Sequence, residues 1–176
     1  ETNPGSFEHR YEQNLKVGWQ SVWASIDLEK EKLALNWKVE LVDNGDLYGR
    51  LSIPDVRSEN KKVDGEVNID NINLNFLSPM LGEYNKINAV VNSKASFSGP
   101  IKRPRIDGFL SLKNLLIKGD ASPIEVQKGE MNLSFSGYRA SLKSTMGTPE
   151  GDLHVTGQAN WRRPENWSST IRVFAD

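Results

Sequence analysis

Apolar and polar residues alternate with a period of two along most of the chain, the signature of strands that present one face to a core. Leu33, Leu35, Trp37, Val39 and Leu41 fall on one side, and Ala34, Asn36, Lys38 and Glu40 on the other. The alternation resumes at Leu47, Gly49, Leu51 and Ile53, after Asp43-Asn44-Gly45-Asp46. Asn-Gly between two such runs predicts a hairpin over residues 32–53, closed by a type I′ turn whose central residues both take positive φ.

The phase of the pattern slips in places. Val63, Gly65, Val67 and Ile69 are followed by Ile72, Leu74 and Phe76, one residue out of step, and Leu112 is followed by Leu115 and Ile117. An extra residue in one strand re-aims all that follow, so each slip predicts a β-bulge. Near the N-terminus, Leu15, Val17 and Trp19 lie on one side while Val22, Ala24 and Ile26 lie on the other, within a strand predicted over about 15–28. Trp19 and Trp23 are not assigned to a face by this pattern. Further strands are predicted at Ile87-Ala89-Val91, Ile106-Gly108-Leu110-Leu112, Met131-Leu133-Phe135, Tyr138-Ala140-Leu142 and Leu153-Val155. Residues 1–12 lack alternation and read as loop or lead-in strand. Helix is nearly absent: the one candidate is a turn at Phe76–Leu81, with Pro79 in a first helical turn.

Roughly ten strands make an all-β protein. A sandwich, a closed barrel around a small apolar ligand and an open curved sheet all share this pattern, and periodicity does not separate them. A membrane-spanning barrel fits less well, because its strands end in two aromatic girdles. The five Trp here, at 19, 23, 37, 161 and 167, gather toward the ends of the sequence.

Composition narrows the chemistry. Lys and Arg number 22 against 23 Asp and Glu, a net charge of −1, so the basic footprint of a nucleic-acid binder is missing. The absence of Cys removes thiolate metal sites, thiol nucleophiles and disulfides. His9 and His154 are the two histidines and lack metal-ligand spacing, so His154 reads as a solvated strand residue between Leu153 and Val155. Asp43–Asp46 is too short for a calcium loop and is explained by the hairpin. Glu29–Lys32 reads as a polar turn or strand end, and Gly99-Pro100-Ile101-Lys102-Arg103-Pro104-Arg105 as a basic connection between strands. No Gly-x-Ser-x-Gly or Gly-rich phosphate motif occurs, and the chain is not expected to be an enzyme or to need a cofactor. No run approaches the roughly 18 apolar residues of a membrane-spanning helix. The start at Glu1-Thr2-Asn3-Pro4-Gly5, without an initiator Met or apolar leader, suggests a processed or excised piece of a longer chain.

Residues 95–114 combine a strand, Gly99, a short basic-proline connection and Pro104-Arg105-Ile106-Asp107-Gly108-Phe109-Leu110-Ser111-Leu112. This resembles the recurring unit of the TamB and AsmA-like family. Gly157-Gln158-Ala159-Asn160-Trp161, followed by Arg162-Arg163-Pro164, resembles the Gly-x-x-x-Trp element toward the C-terminal part of that family. Leu47-Tyr48-Gly49-Arg50-Leu51 and Val63-Asp64-Gly65-Glu66-Val67 keep the same habit of Gly within a strand.

The resemblance implies that residues 1–176 form one segment of a long, mostly antiparallel sheet folded into a U-shaped trough, the β-taco, with an apolar concave face. At about 4.8 Å per strand the segment would be about 50 Å long. Its apolar lining would be Leu33, Leu35, Trp37, Val39, Leu51, Ile53, Val67, Leu74, Ile87, Val91, Ile106, Leu110, Leu112, Leu133, Phe135, Leu142 and Val155. Ser111 would face out beside Leu110. The resemblance further implies a periplasmic location in a protein anchored in the inner membrane, with TamA as outer-membrane partner. The roles it implies are assembly of outer-membrane proteins such as autotransporters and carriage of phospholipid between the membranes. A closed ligand-binding module and a purely structural spacer are the alternatives.

Overall fold

The computed structural model describes residues 19–42, 44–82, 85–120 and 124–176. They form one ten-stranded antiparallel sheet in which every strand pairs with its predecessor and its successor in sequence. The strands are β1 (Trp19–Glu29), β2 (Lys32–Leu41), β3 (Gly45–Ile53), β4 (Lys62–Asn73), β5 (Lys86–Pro100), β6 (Arg105–Lys118), β7 (Val126–Gly137), β8 (Arg139–Thr148), β9 (Gly151–Asn160) and β10 (Ser168–Ala175). A 3-10 helix, Leu74–Met80, follows β4, and a shorter one, Pro164–Asn166, precedes β10. β1 and β10 are the two edges, so the sheet is open rather than a closed barrel.

Burial agrees with an open form. Among the described residues only Leu41, Ala89, Val91 and Val126 are buried apolar side chains. The accessible surface is 13150 Å². A compact monomer of this mass would expose about 8,600 Å². A sandwich core that hides its apolar residues between two layers is therefore not what holds this chain together. The ladders between consecutive strands are.

The predicted phase slips are all register shifts. Pairing steps between Trp19 and Ser21 in β1, between Ile69 and Ile72 in β4, and between Leu112 and Leu115 in β6. At the last two the extra residue is an asparagine in the left-handed region, Asn71 at φ 51 and Asn114 at φ 55. Asparagine tolerates that conformation better than other side-chain-bearing residues. The Asn71 amide nitrogen also donates to Asn92 Oδ1 at 3.0 Å, and Asn92 Nδ2 donates back to Asn71 Oδ1 at 3.2 Å.

Three expectations are corrected. The 32–53 hairpin is present, but Leu41 lies opposite Gly45 and the Asn44 amide bonds to the Leu41 carbonyl at 3.3 Å, so Asn44-Gly45 is not the centre of its turn. Gly45 takes positive φ, at 84°, and a Cβ there would lie 2.2 Å from the Asp70 carbonyl oxygen. The glycine thus serves the close approach of the β4 bulge rather than a two-residue turn. Leu74 and Phe76 do not extend a strand, because the Asn73 side chain accepts from the Asn75 amide at 3.0 Å and caps the 3-10 helix. Pro79 sits in the last turn of that helix, not the first. β10 is a strand that the alternation pattern did not mark. The expectations for residues 1–18 lie outside the described residues.

Candidate functional site

Residues directly opposite one another in an antiparallel ladder project from the same face. The register therefore sorts the expected lining residues into rows across the strands. Leu33 faces Leu28 and Ile53, and Leu35 faces Ile26 and Leu51. The second row continues through Gly65 and Phe97 to Ile106. Trp37 begins a third row, running through Gly49, Val67, Ala95 and Gly108 to Phe135. Val39 begins a fourth, through Leu47, Ile69, Ser93, Leu110 and Leu133 to Leu142. Beyond the bulges, Val91 lies opposite Ile72 and Leu112, and the row goes on through Met131 and Ser144 to Val155. Ile87 lies opposite Ile117. Leu74 joins no ladder, since it opens the 3-10 helix that packs against β5.

Two aromatic rings in these rows lie over glycines. A Cβ on Gly49 would fall 2.4 Å from Trp37 Cζ2, and one on Gly65 would fall 2.6 Å from Phe97 Cε2. The missing side chains let each ring lie across the neighbouring strand, which shields backbone that glycine leaves bare.

The rows between have different chemistry. Asn36, Arg50, Glu66, Ser96 and Asp107 follow one another across the sheet. Arg50 pairs with Asp64 at 2.8 Å and lies 3.7 Å from Glu66, both exposed. Trp23, Lys38, Tyr48, Asn68, Lys94 and Phe109 form another such row, which gives Trp23 a face, opposite to that of Trp37. Lys38 and Glu40 are in direct contact there, and that bond holds the Glu40 carboxyl below its ordinary range and the Lys38 ammonium above its own. Ser111 belongs to this side but is 9% exposed, so Phe109, at 45%, is the accessible neighbour of Leu110.

Sequence reasoning missed the apolar residues that end the rows. Ile171 lies opposite Gly157 and Val173 opposite Val155, and Ile171 is 68% exposed. On β1, Val22 and Ile26 match them at 62% and 68%. An edge strand has a neighbour on one side only, so its apolar side chains stay uncovered. The signal available in β10 was short, Ile171 and Val173 alternating with Arg172 between Ser168-Ser169-Thr170 and Phe174.

At the end of the sheet where β5 turns to β6, β7 to β8 and β9 to β10, the connections are tied together. Trp161 Nε1 donates to the Pro104 carbonyl at 2.7 Å, and the Trp161 amide to the Tyr138 carbonyl at 3.1 Å. Arg103 donates to the Arg162 carbonyl at 3.3 Å and stands 5.7 Å from the Tyr138 ring centroid. Asp107 accepts from the Gly137 amide at 3.0 Å and from Arg105 at 2.9 Å, and these bonds, the amide first, keep its carboxyl below the ordinary carboxylate range.

Among the described residues no cluster of His, Asp and Glu could hold a metal ion. No helix there is long and apolar enough to cross a membrane.

The family model for the TamB N-terminal domain matches residues 1–112, more than half of the chain. The chain belongs to the TamB family. Gly157–Trp161 resembles an element toward the C-terminal part of the family, whereas the model that matches residues 1–112 is described as the N-terminal domain. A curated TamB, the translocation and assembly module subunit of Haemophilus influenzae, is 26% identical over 152 residues, 86% of this chain. The chain spans 12% of that relative's length. An uncharacterized protein of Methanocaldococcus jannaschii is 34% identical over 70 residues, 39% of this chain and 47% of its own. No solved structure matches.

Proposed function

We propose that residues 1–176 act as one non-enzymatic segment of a TamB-family trough. Its rows from Leu35 to Ile106, from Trp37 to Phe135 and from Val39 through Leu110 and Leu133 to Leu142 would shield acyl chains or a nascent amphipathic strand from water. The observation that carries this reading is the continuity of those rows across one open sheet, with exposed apolar residues on both edge strands. A self-contained ligand binder would close its sheet and cover those edges. The name of the H. influenzae relative, a translocation and assembly module subunit, supports a role in the transport or assembly of envelope components. The finer reading is a periplasmic location in a protein held in the inner membrane, partnership with TamA, and service to autotransporters or phospholipid transport.

The test is photo-crosslinking in cells, in the full-length protein, with the reactive group at Leu110 and, as control, at Phe109 on the opposite face. Lipid adducts at Leu110 alone are expected for acyl-chain carriage. Adducts to an outer-membrane polypeptide at Leu110 would assign the rows to assembly instead. Silence at both positions in a functional protein would leave the sheet as a structural spacer and sink the trough.

A further inference from the structure

The face of the sheet opposite the apolar rows changes character along its length. In β1–β6 it holds ion pairs: Lys38 with Glu40, Arg50 with Asp64 and Glu66, and Arg105 with Asp107. In β7–β10 the ladder sets Ser134, Ser141, Gln158 and Thr170 in one row of this face. Asn132, Lys143, Thr156 and Arg172 form the next, and Arg139 lies opposite Asn160 in a third. Arg139, Lys143 and Arg172 are exposed, and none of them makes an ion pair among the described residues. The side chains of Ser141, Thr156, Gln158 and Thr170 also make no hydrogen bond to a described residue, so they are left to solvent.

These rows are not level. A depression of about 250 Å³ is lined by Ser141, Lys143, Thr156, Gln158, Thr170 and Arg172. A second, of about 520 Å³, shares Ser141, Gln158 and Thr170 with it and extends to Arg139, so the two form one groove over β7–β10. Lys143 and Arg172 stand two strands apart, about 10 Å, and Arg139 stands four residues from Lys143 on β8, about 13 Å. The acids of this face lie outside the triangle. Glu130 is in the row beyond Asn132, Asp107 is held by Arg105 and the Gly137 amide, and Asp152 and Asp176 are at the strand ends.

The three rows carry no aliphatic side chain, whereas the core of a protein interface is apolar and depleted of serine. Hydroxyl and amide groups both donate and accept, which matches sugar hydroxyls and acetamido groups. Spaced cations with no acid between them match carboxylates set at intervals along a chain.

We propose that this groove binds a strand of cell-wall glycan, an amino-sugar polymer that bears carboxylates. Arg139, Lys143 and Arg172 meet the carboxylates, and the serine, threonine and glutamine side chains meet the sugars. The inference takes only the envelope location from the reading above. What the apolar rows carry does not enter, so the two readings fail separately.

The test is co-sedimentation of the 176-residue chain with purified, protein-free cell-wall sacculi, after circular dichroism has verified a β-sheet spectrum for each variant. The wild type should sediment with the sacculi. Lys143→Gln with Arg172→Gln should bind at least about tenfold more weakly. Thr156→Leu, which keeps every charge but fills the groove, should weaken binding as well. Lys38→Gln with Arg50→Gln removes the same charge from the paired half of this face and should leave binding unchanged. Equal weakening by the two double variants would reduce the attraction to general charge and overturn the site. Chitin, an uncharged amino-sugar polymer, should bind clearly less; binding as tight as to sacculi would remove the cations from the recognition and sink the proposal. Polyglutamate that competes as well as solubilised glycan strands would make the groove a plain polyanion surface, and the proposal fails. A wild type that stays in the supernatant overturns it outright, whatever crosslinking at Leu110 returns.

Discussion

Asp107 shows how a single exposed side chain secures a sheet that has little interior. Its carboxylate takes the amide of Gly137, a residue at φ 65 that ends β7, and a bond from Arg105 on its own strand. Because these bonds favour the charged form, the folded-state pKa lies below that of the unfolded chain. The stabilisation is then full above the unfolded value, about 3.9, and disappears as pH falls through the lower folded value. Asp107→Asn should melt at a lower temperature than wild type at pH 7, and the two should converge as pH is lowered past that window. Thermal unfolding followed by circular dichroism at a series of pH values checks it; a gap that persists in acid would assign the effect to shape rather than charge. The aromatic rings over Gly49 and Gly65 were half legible in the sequence. Gly within an alternating run announces an opening in the face, but which ring fills it depends on register with another strand. The role of Asp107 was not legible, since its main partner is 30 residues away.

Whole strands were read more reliably than their ends. Alternation marks a strand because one face of the sheet is apolar, and a slip in phase marks a bulge because pleating leaves no other way to return a side chain to its face. All three slips, at Trp19/Ser21, Ile69/Ile72 and Leu112/Leu115, are register shifts. The rule failed at Leu74, where the Asn73 cap outcompetes the ladder, and at β10, where two apolar residues are too few for a pattern. The β4 bulge invites a direct trial. Asn71→Val places a β-branched residue at φ 51 and removes the Oδ1 that accepts from Asn92 Nδ2, so it should cost about 1–3 kcal/mol in urea unfolding. Asn71→Gly, which loses the side-chain bond but accepts the conformation, should cost clearly less. Equal losses would show that the asparagine contributes only its hydrogen bonds.

At the scale of the whole sheet, the described residues have two edge strands, which bear Val22, Ile26 and Leu28 on one side and Ile171 and Val173 on the other. Such edges invite pairing with another strand. The isolated chain should therefore associate as its concentration rises, and Ile26→Lys with Ile171→Lys should suppress it, as sedimentation velocity would show. Association unchanged by both substitutions would mean that contact is made through a face instead. That the fold is all-β, and that its strands run in order, followed from local signals. That it stays open did not, because a sandwich, a barrel and an open sheet share one alternation, and only the absence of pairing between β1 and β10 decides among them.

The strictly consecutive strand order has a kinetic side. Each strand finds its partners in the segments just before and just after it, so no ladder waits for a distant part of the chain to be made. A polypeptide emerging N-terminus first as it is synthesised can zip β1 to β2, then β3, and so on, with at most one unpaired growing edge at any moment. Lengthening such a protein by a whole hairpin adds two rungs, about 10 Å, and leaves every earlier rung and the handedness of both faces unchanged. Length, in this design, is a quantity that can be dialled without redesigning anything else.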